Sequence, residues 1–132
     1  MSKRNIGNAL AVIALLCFVA AIIGMAMNSG IGGAHRWVEP FEAAGWMFFT
    51  GCVLVLYLVV PPEGELDQKW VSVAWAFGAV AIALLLVSFI ANVAAQQYKY
   101  WFEAIETSGL VFMVLTIITA IMARGGLGKS AE

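Results

Sequence analysis

The chain has 132 residues, of which 63% are hydrophobic and only 11% charged, and its formal net charge is −1 at pH 7. A water-soluble domain has about a quarter of its residues charged, so this chain has too few polar side chains to cover a soluble globule. The near-neutral charge gives no indication of a nucleic-acid partner. The composition therefore predicts an integral membrane protein, whose first partner is the lipid bilayer.

Four apolar runs are long enough to cross a bilayer, which requires about 20 residues of helix. They cover residues 6–27, 43–60, 70–93 and 107–123. Apolar and polar residues do not alternate, so helices are favoured over strands. We predict an all-α integral membrane protein with four transmembrane helices in one domain, residues 1–132. The first run is long for a signal peptide and is expected to be retained.

The breaks between the runs are short. Pro61 and Pro62 are expected to end the second helix, because proline lacks the backbone donor and clashes inside a helix. The loop "PPEGELDQK" then permits only a tight antiparallel return. Cys17 and Cys52 lie within apolar runs, which is typical of small buried side chains and not of a disulfide framework.

Basic residues near the helix ends predict the orientation, since lysine and arginine are enriched on the cytoplasmic side. Five of them fall on one side of the predicted membrane and two on the other. Both termini and the 61–69 loop are therefore expected in the cytoplasm, in a multi-pass protein of the plasma membrane, of the bacterial inner-membrane type. The five are Lys3, Arg4, Lys69, Arg124 and Lys129, and the two are Arg36 and Lys99.

A motif, W-x-E-x-x-E-x-x-G-x-x-F, occurs twice at a distance of 64 residues. The same offset superposes the first run on the third and the second on the fourth. We predict an internal duplication with repeats 3–66 and 67–130, arranged in parallel about an axis along the membrane normal. The matched pairs are Trp37 and Trp101, Glu39 and Glu103, Glu42 and Glu106, Gly45 and Gly109, Phe48 and Phe112, and Asn28 and Asn92.

The favoured interpretation of the motif is structural. Pro40 suits the first position of a helix, and glutamates in a first turn are stabilised by the helix dipole. Trp37 and Trp101 fit an interfacial aromatic belt, and Gly45 and Gly109 let helices approach closely. Asn28 and Asn92 are expected to bond to the backbone or to each other.

The alternative interpretation is chemical. Glutamates three residues apart share a helix face, so four carboxylates could surround one axis and hold a hard cation or a proton. His35 could add a nitrogen ligand, but it is the only histidine in the chain. A di-iron bundle would need two E-x-x-H motifs, and a bis-histidine haem site is impossible within the chain. We predict no cofactor and no metal site, with Glu39, Glu42, Glu103, Glu106 and His35 as the candidate ligands if a metal site exists.

No catalytic motif is present, so we do not expect an enzyme. The middles of the four runs contain no ionisable residue, although such residues usually mark ion pathways. We therefore expect a small non-catalytic accessory, scaffold or assembly subunit of a larger membrane complex, contacting other subunits or itself. The alternative is a small cation or proton transporter or channel that uses the carboxylates at its outer mouth.

The orientation can be tested by labelling cysteines in intact cells with a thiol reagent that does not cross membranes. A cysteine at Ser130 is expected to resist the reagent, because it would face the cytoplasm. A cysteine at Gly32 is expected to react. The opposite pattern would reverse the predicted topology.

Overall fold

The computed structural model describes residues 2–27, 35–60, 66–94 and 100–125, with the backbone alone at 27, 35–37 and 100. This described part is helical and contains no strand, and each of its helices is long and apolar enough to span a membrane, which confirms the predicted all-α class with four such helices. The four helices are α1 (Lys3–Met27), α2 (His35–Leu54), α3 (Gln68–Ala94) and α4 (Tyr100–Ala123).

Helices α2 and α4 begin earlier than the predicted spans at 43 and 107. They begin at His35 and Tyr100, so each includes its copy of the repeated motif. Apolar content alone set the predicted starts, whereas backbone hydrogen bonding extends each helix through the polar residues before the apolar run. Pro40 consequently lies inside α2 and not at its first position.

Side chains and one glycine mark three of the helix ends. The Ser2 hydroxyl accepts a hydrogen bond from the Asn5 backbone N–H at 3.1 Å, which caps the start of α1. The Asp67 carboxylate accepts one from the Lys69 N–H at 3.1 Å and caps α3. After α4, Gly125 has φ 90°, the left-handed conformation that ends many helices and that glycine adopts without strain.

A π-helical turn, Val55–Val59, continues α2 to its end. The Val60 N–H donates to the Val55 carbonyl at 2.9 Å, which is the i to i+5 bond of that geometry. Pro61 and Pro62, predicted to end this helix, lie outside the described residues.

The helices pack in chain order. Helix α1 lies along α2, α2 along α3, and α3 along α4, while α2 also contacts α4. Among the described residues, α1 makes no comparable contact with α3 or α4. The bundle is therefore open between α1 and α4.

The main apolar core lies where α2 ends, α3 begins and α4 ends. Leu54, Leu58 and Ala74 are buried together there, with Ala120 and Ala123 of α4. The Asp67 N–H also donates to the Ala123 carbonyl at 2.8 Å, so the start of α3 is joined to the end of α4. We call this the core end of the molecule and the opposite end, where α2 and α4 begin, the carboxylate end.

Part of the buried face of one hairpin corresponds to that of the other at the 64-residue offset, since six matched pairs are buried in both. On α3 the buried positions are spaced alternately four and three residues apart, which makes one continuous stripe. Three α1 positions that lie 64 residues before members of this stripe are buried, and three matched pairs on α2 and α4 are buried in both helices. The corresponding buried pairs are Ala14 and Gly78, Ala21 and Leu85, Gly24 and Ser88, Val38 and Phe102, Gly45 and Gly109, and Cys52 and Thr116.

Gly45 and Gly109 lie where the helices of each hairpin approach most closely. An ideal Cβ on Gly45 would lie 2.7 Å from the ring of Phe18 on α1. One on Gly109 would lie 2.9 Å from Cγ of Leu85 on α3. Both distances are shorter than real Cβ contacts, so the helices approach closely at both glycines only because a side chain is absent there. Cys17 and Cys52 are free thiols, as predicted.

Gly109→Ala is expected to lower the stability of the detergent-solubilised protein by about 1–3 kcal/mol, the usual cost of overpacking. The new methyl group would meet the branch point of Leu85, which is 0% exposed and has no room to move. Thermal unfolding followed by circular dichroism would measure the change.

Gly51→Ala is the matched control. A Cβ there would meet only Cδ1 of Leu10, at an ordinary 3.6 Å. Alanine is also favoured over glycine in helices by about 0.5–1 kcal/mol, so this variant is expected to be neutral or more stable. Equal losses in the two variants would contradict the assignment of a tight contact to Gly109.

Candidate functional site

A cavity of about 300 Å³ opens at the carboxylate end between α1, α2 and α4. Its wall combines four acidic side chains with aromatic and aliphatic ones. We call it the carboxylate cavity. Its lining residues are Phe18, Glu39, Glu42, Trp46, Glu103, Glu106, Thr107 and Leu110.

The cavity joins the glutamates of both motif copies. Glu39 and Glu42 are three residues apart on α2, so both point to the face of α2 that contacts α4. Glu106 comes from α4, and one oxygen of each of these three carboxyl groups lies within 4.8 Å of the others. Glu103 lines the same cavity from the first turn of α4. The contact between α2 and α4 therefore brings together carboxylates that are 64 residues apart in sequence.

Burial differs strongly among the four acids. Glu106 is only 8% exposed, Glu39 and Glu42 are half-buried, and Glu103 is exposed. The carboxyl groups of Glu106 and Glu39 have oxygens within 4.8 Å of each other, so a proton held between them would relieve their repulsion. Without a proton or a cation, three negative charges would repel one another in a partly dehydrated space.

The expectation that all four glutamates only begin helices is wrong for three of them. Glu103 does lie in the first turn of α4. Glu106 lies one turn further in, and the first turn of α2 contains no acid at all, since α2 begins at His35. The dipole effect falls off within the first turn, so it does not account for Glu39, Glu42 or Glu106.

Aromatic rings form the apolar part of the wall. The rings of Phe18 and Trp46 meet edge to face with centroids 4.7 Å apart, and Trp46 contacts Phe49 in the same way at 6.2 Å. Gly45 has no side chain and thus leaves room for Phe18. The motif glycine therefore shapes the cavity as well as the helix pair.

A buried polar group joins α3 to α4 near the start of α4. The Asn92 side-chain amide donates to the Ser88 carbonyl at 2.8 Å, as predicted for an asparagine that bonds to the backbone. The Ser88 hydroxyl donates to the Phe102 carbonyl at 3.5 Å, across the helix pair. The sequence analysis missed this link; Ser88 lies four residues before Asn92, so the two share a helix face. Asn28 lies outside the described residues.

Buried threonines lie further along the helices. Thr50 and Thr116 are 0% exposed, and Thr119 is 5% exposed. Each hydroxyl donates to a carbonyl four residues earlier on its own helix, at 2.7–2.8 Å. These hydroxyl protons are used within their helices, so no chain of polar groups extends from the cavity through the bundle in the described residues.

The two motif tryptophans and His35 belong to the same end of the molecule. Trp101 is 52% exposed and meets the Phe102 ring edge to face at 4.3 Å. An exposed aromatic at a helix start fits the predicted interfacial role. The side chains of Trp37 and His35 lie outside the described residues, so a histidine ligand stays a prediction.

The chemistry of the cavity is that of oxygen donors. Carboxylate oxygens suit protons and hard cations, and the lining residues that the structure describes include neither a histidine nor a cysteine for softer metals. Comparison with known proteins finds no matching family model, no matching curated protein and no matching solved structure.

Proposed function

We propose that this chain is a four-span integral membrane protein that takes up protons at the carboxylate cavity. Membrane insertion is supported by the surface of the bundle. Among the described residues, 22 large apolar side chains are exposed, and Leu15, Leu16 and Ile22 on α1 are at least 60% exposed. Soluble monomers rarely expose apolar patches of that extent, whereas lipid covers them without cost.

The proposed orientation places the core end at the cytoplasm of a bacterial-type inner membrane. Two basic residues at that end stack on aromatic rings: Lys69 lies 5.4 Å from the ring centre of Trp70, and Arg124 lies 5.3 Å from that of Tyr57. Paired basic and aromatic residues are typical of a membrane–water interface on the cytoplasmic side. The carboxylate cavity then faces the periplasm.

The proposed duplication explains why the cavity contains two pairs of acids. The six pairs that are buried in both hairpins at the 64-residue offset support the duplication, since unrelated hairpins would have no reason to share a register. Parallel repeats place matching residues at the same depth. Glu42 is half-buried, Glu106 is buried, and the two form one matched pair. They consequently meet near the axis that relates the two repeats.

The observation on which proton uptake depends is the contact among Glu39, Glu42 and Glu106. Crowded carboxyl groups commonly share a proton, because they cannot all be charged at close range. A divalent ion is less suited, since Ca²⁺ takes 6–8 oxygen ligands and Mg²⁺ demands a near-ideal octahedron. The threonine hydroxyls further along the bundle donate hydrogen bonds within their own helices. This favours proton binding at the cavity over proton conduction through the bundle of one chain.

The test uses a hydrophobic carbodiimide, which reacts with a protonated carboxyl group in apolar surroundings to give a stable adduct. We expect an adduct at Glu106 in native membranes, and we expect its yield to fall as the pH is raised. Glu106→Gln should remove it. Asp67→Asn is the matched control, because it neutralises an exposed carboxylate at the core end and preserves the helix cap. Peptide mass spectrometry measures the yield.

Two outcomes would contradict proton uptake. Adducts spread evenly over exposed carboxyl groups, with none at Glu106, would exclude a buried protonated site. Protection by millimolar Ca²⁺, Mg²⁺, Mn²⁺ or Zn²⁺ would assign the cavity to a divalent cation. Such an ion at 100 times its Kd would also stabilise the protein by about 2.7 kcal/mol, whereas we expect no metal-dependent shift of the melting temperature.

A second candidate function is that of a non-catalytic accessory or assembly subunit in a larger membrane complex. It is favoured by the exposure of α1. Within the described ranges, α1 packs extensively only on α2 and the π-helical turn that continues it, and most of its apolar surface is uncovered.

Native mass spectrometry after gentle detergent extraction tests the accessory function. Recovery with heterologous membrane chains in fixed stoichiometry would support it. Recovery of this chain alone, as a monomer or as copies of itself, would contradict it.

A further inference from the structure

The carboxylate cavity is larger than a proton site requires. A proton bound to a carboxyl group occupies no space of its own, whereas the cavity has a volume of about 300 Å³. A water molecule takes about 30 Å³ of the liquid, and pockets for small organic ligands begin at about 300 Å³. The cavity is therefore large enough to hold a small organic molecule.

The lining changes from acidic to apolar along both α2 and α4. On each helix, two glutamates three residues apart are followed four residues later by a large apolar side chain, so the three share one helix face. At a rise of about 1.5 Å per residue, the apolar side chain lies about 6 Å further into the bundle than the second glutamate. A ligand that fits this gradient has one polar end and one apolar end. The residues that form it are Glu39, Glu42 and Trp46 on α2, and Glu103, Glu106 and Leu110 on α4.

The charge of the lining selects a cation. Glu106 is only 8% exposed and lines the cavity, where its charged neighbours are the other acids. The lining residues within the described ranges include no lysine or arginine, so none of them supplies a countercharge. A buried carboxylate without a countercharge is costly. A ligand with a positive charge would remove that cost, whereas the acids would repel an anion.

The aromatic wall distinguishes an organic cation from a metal ion. Phe18 and Trp46 meet edge to face at the apolar end of the cavity, with ring centroids 4.7 Å apart. Aromatic rings attract ammonium groups through cation–π contacts and can also cover apolar substituents. A metal ion gains little from such a wall, since it prefers a shell of oxygen ligands.

We propose that the cavity binds a small organic ammonium ion that carries an apolar or aromatic group, in exchange for the proton. This inference rests on proton uptake and names the substrate class of the same cavity. The ammonium group lies between Glu42 and Glu106, and the apolar group lies against Trp46 and Phe18. As the cation enters, Glu106 releases its proton to water. One positive charge then replaces another, and only an O–H bond is broken.

A free cation is favoured over the ammonium headgroup of a phospholipid. The headgroup of phosphatidylethanolamine has a phosphate next to its ammonium group, and the four glutamates that line the cavity would repel that phosphate. A ligand with a single positive charge avoids this repulsion.

The test adds an organic cation to the carbodiimide reaction, on the protein purified in dodecyl maltoside. The probe is benzyltrimethylammonium, which has a quaternary ammonium group beside an aromatic ring. We expect it to lower the adduct yield at Glu106 several-fold, because the bound cation holds this carboxyl group in its charged form. The probe concentration that halves the yield is expected to fall as the pH is raised, since fewer protons then compete with the probe.

Two control compounds separate charge from shape and from lipid binding. Neopentylbenzene has the shape of the probe without its charge and is expected to give no protection. Phosphatidylethanolamine, added to the micelles without the probe, is expected to give none either.

Two tryptophan variants test the aromatic wall, each compared with its own yield in the absence of the probe. Trp46→Leu gives α2 the side chain that α4 has at the matching position, Leu110. It is expected to raise the half-protecting concentration of the probe several-fold. Trp75→Leu is the matched control, because Trp75 is 42% exposed on α3 and is not among the lining residues. An equal response of the two variants would overturn the proposal.

The remaining outcomes separate this inference from proton uptake. The absence of any adduct at Glu106 without the probe would contradict proton uptake, and the exchange with it. An adduct whose yield is the same with and without the probe would leave proton uptake standing and overturn the organic-cation site. Equal protection by neopentylbenzene would also overturn it, and protection by phosphatidylethanolamine would assign the cavity to a lipid headgroup instead.

Discussion

Close approach between helices is the constraint on which the architecture depends. Lipid tails are as apolar as leucine, so helices in a bilayer associate through close packing and not through the hydrophobic effect. At Gly45, Gly78 and Gly109, a neighbouring side chain occupies the space where a Cβ would be. These three contacts hold α1 on α2, α2 on α3, and α3 on α4. The position of α4 beside α2, and with it the meeting of the glutamates, follows from the last two contacts.

Bringing the glutamates of α2 and α4 together costs free energy. Helix pairing alone does not explain why the fold includes this repulsion. Glutamate at a helix start is ordinary, but Glu106 is nearly buried and lies against the acids of another helix. Apolar or amide side chains would pack there without electrostatic repulsion. Groups that destabilise a fold in this way are concentrated at functional sites, which supports assigning chemistry to the cavity.

The helices were predictable because the apolar runs are long, and the repeat pattern located the residues that later proved to lie together. The starts of α2 and α4 were not predictable from hydropathy, since Glu39, Glu42 and Pro40 are polar or unfavourable residues that the helix nevertheless includes. The sequence also gave no basis for ranking the four glutamates. Glu103 and Glu106 occupy the same motif positions as Glu39 and Glu42. Only the packing of α2 against α4 makes Glu106 the most buried of the four. The open side between α1 and α4 was equally hidden, because the repeat alone gives no reason for α2 to contact α3 while α4 leaves α1 uncovered.

The central claim is that carboxyl groups from α2 and α4 share a bound proton. Infrared difference spectroscopy between acidic and alkaline pH, on the protein in lipid, observes this directly through the carbonyl stretch of a protonated carboxylic acid in dry surroundings. The account predicts such a band in the wild-type protein, shifted or lost in Glu106→Gln and unchanged in Asp67→Asn. A wild-type spectrum with only the bands of hydrated carboxyl groups, identical to that of Glu106→Gln, would contradict it.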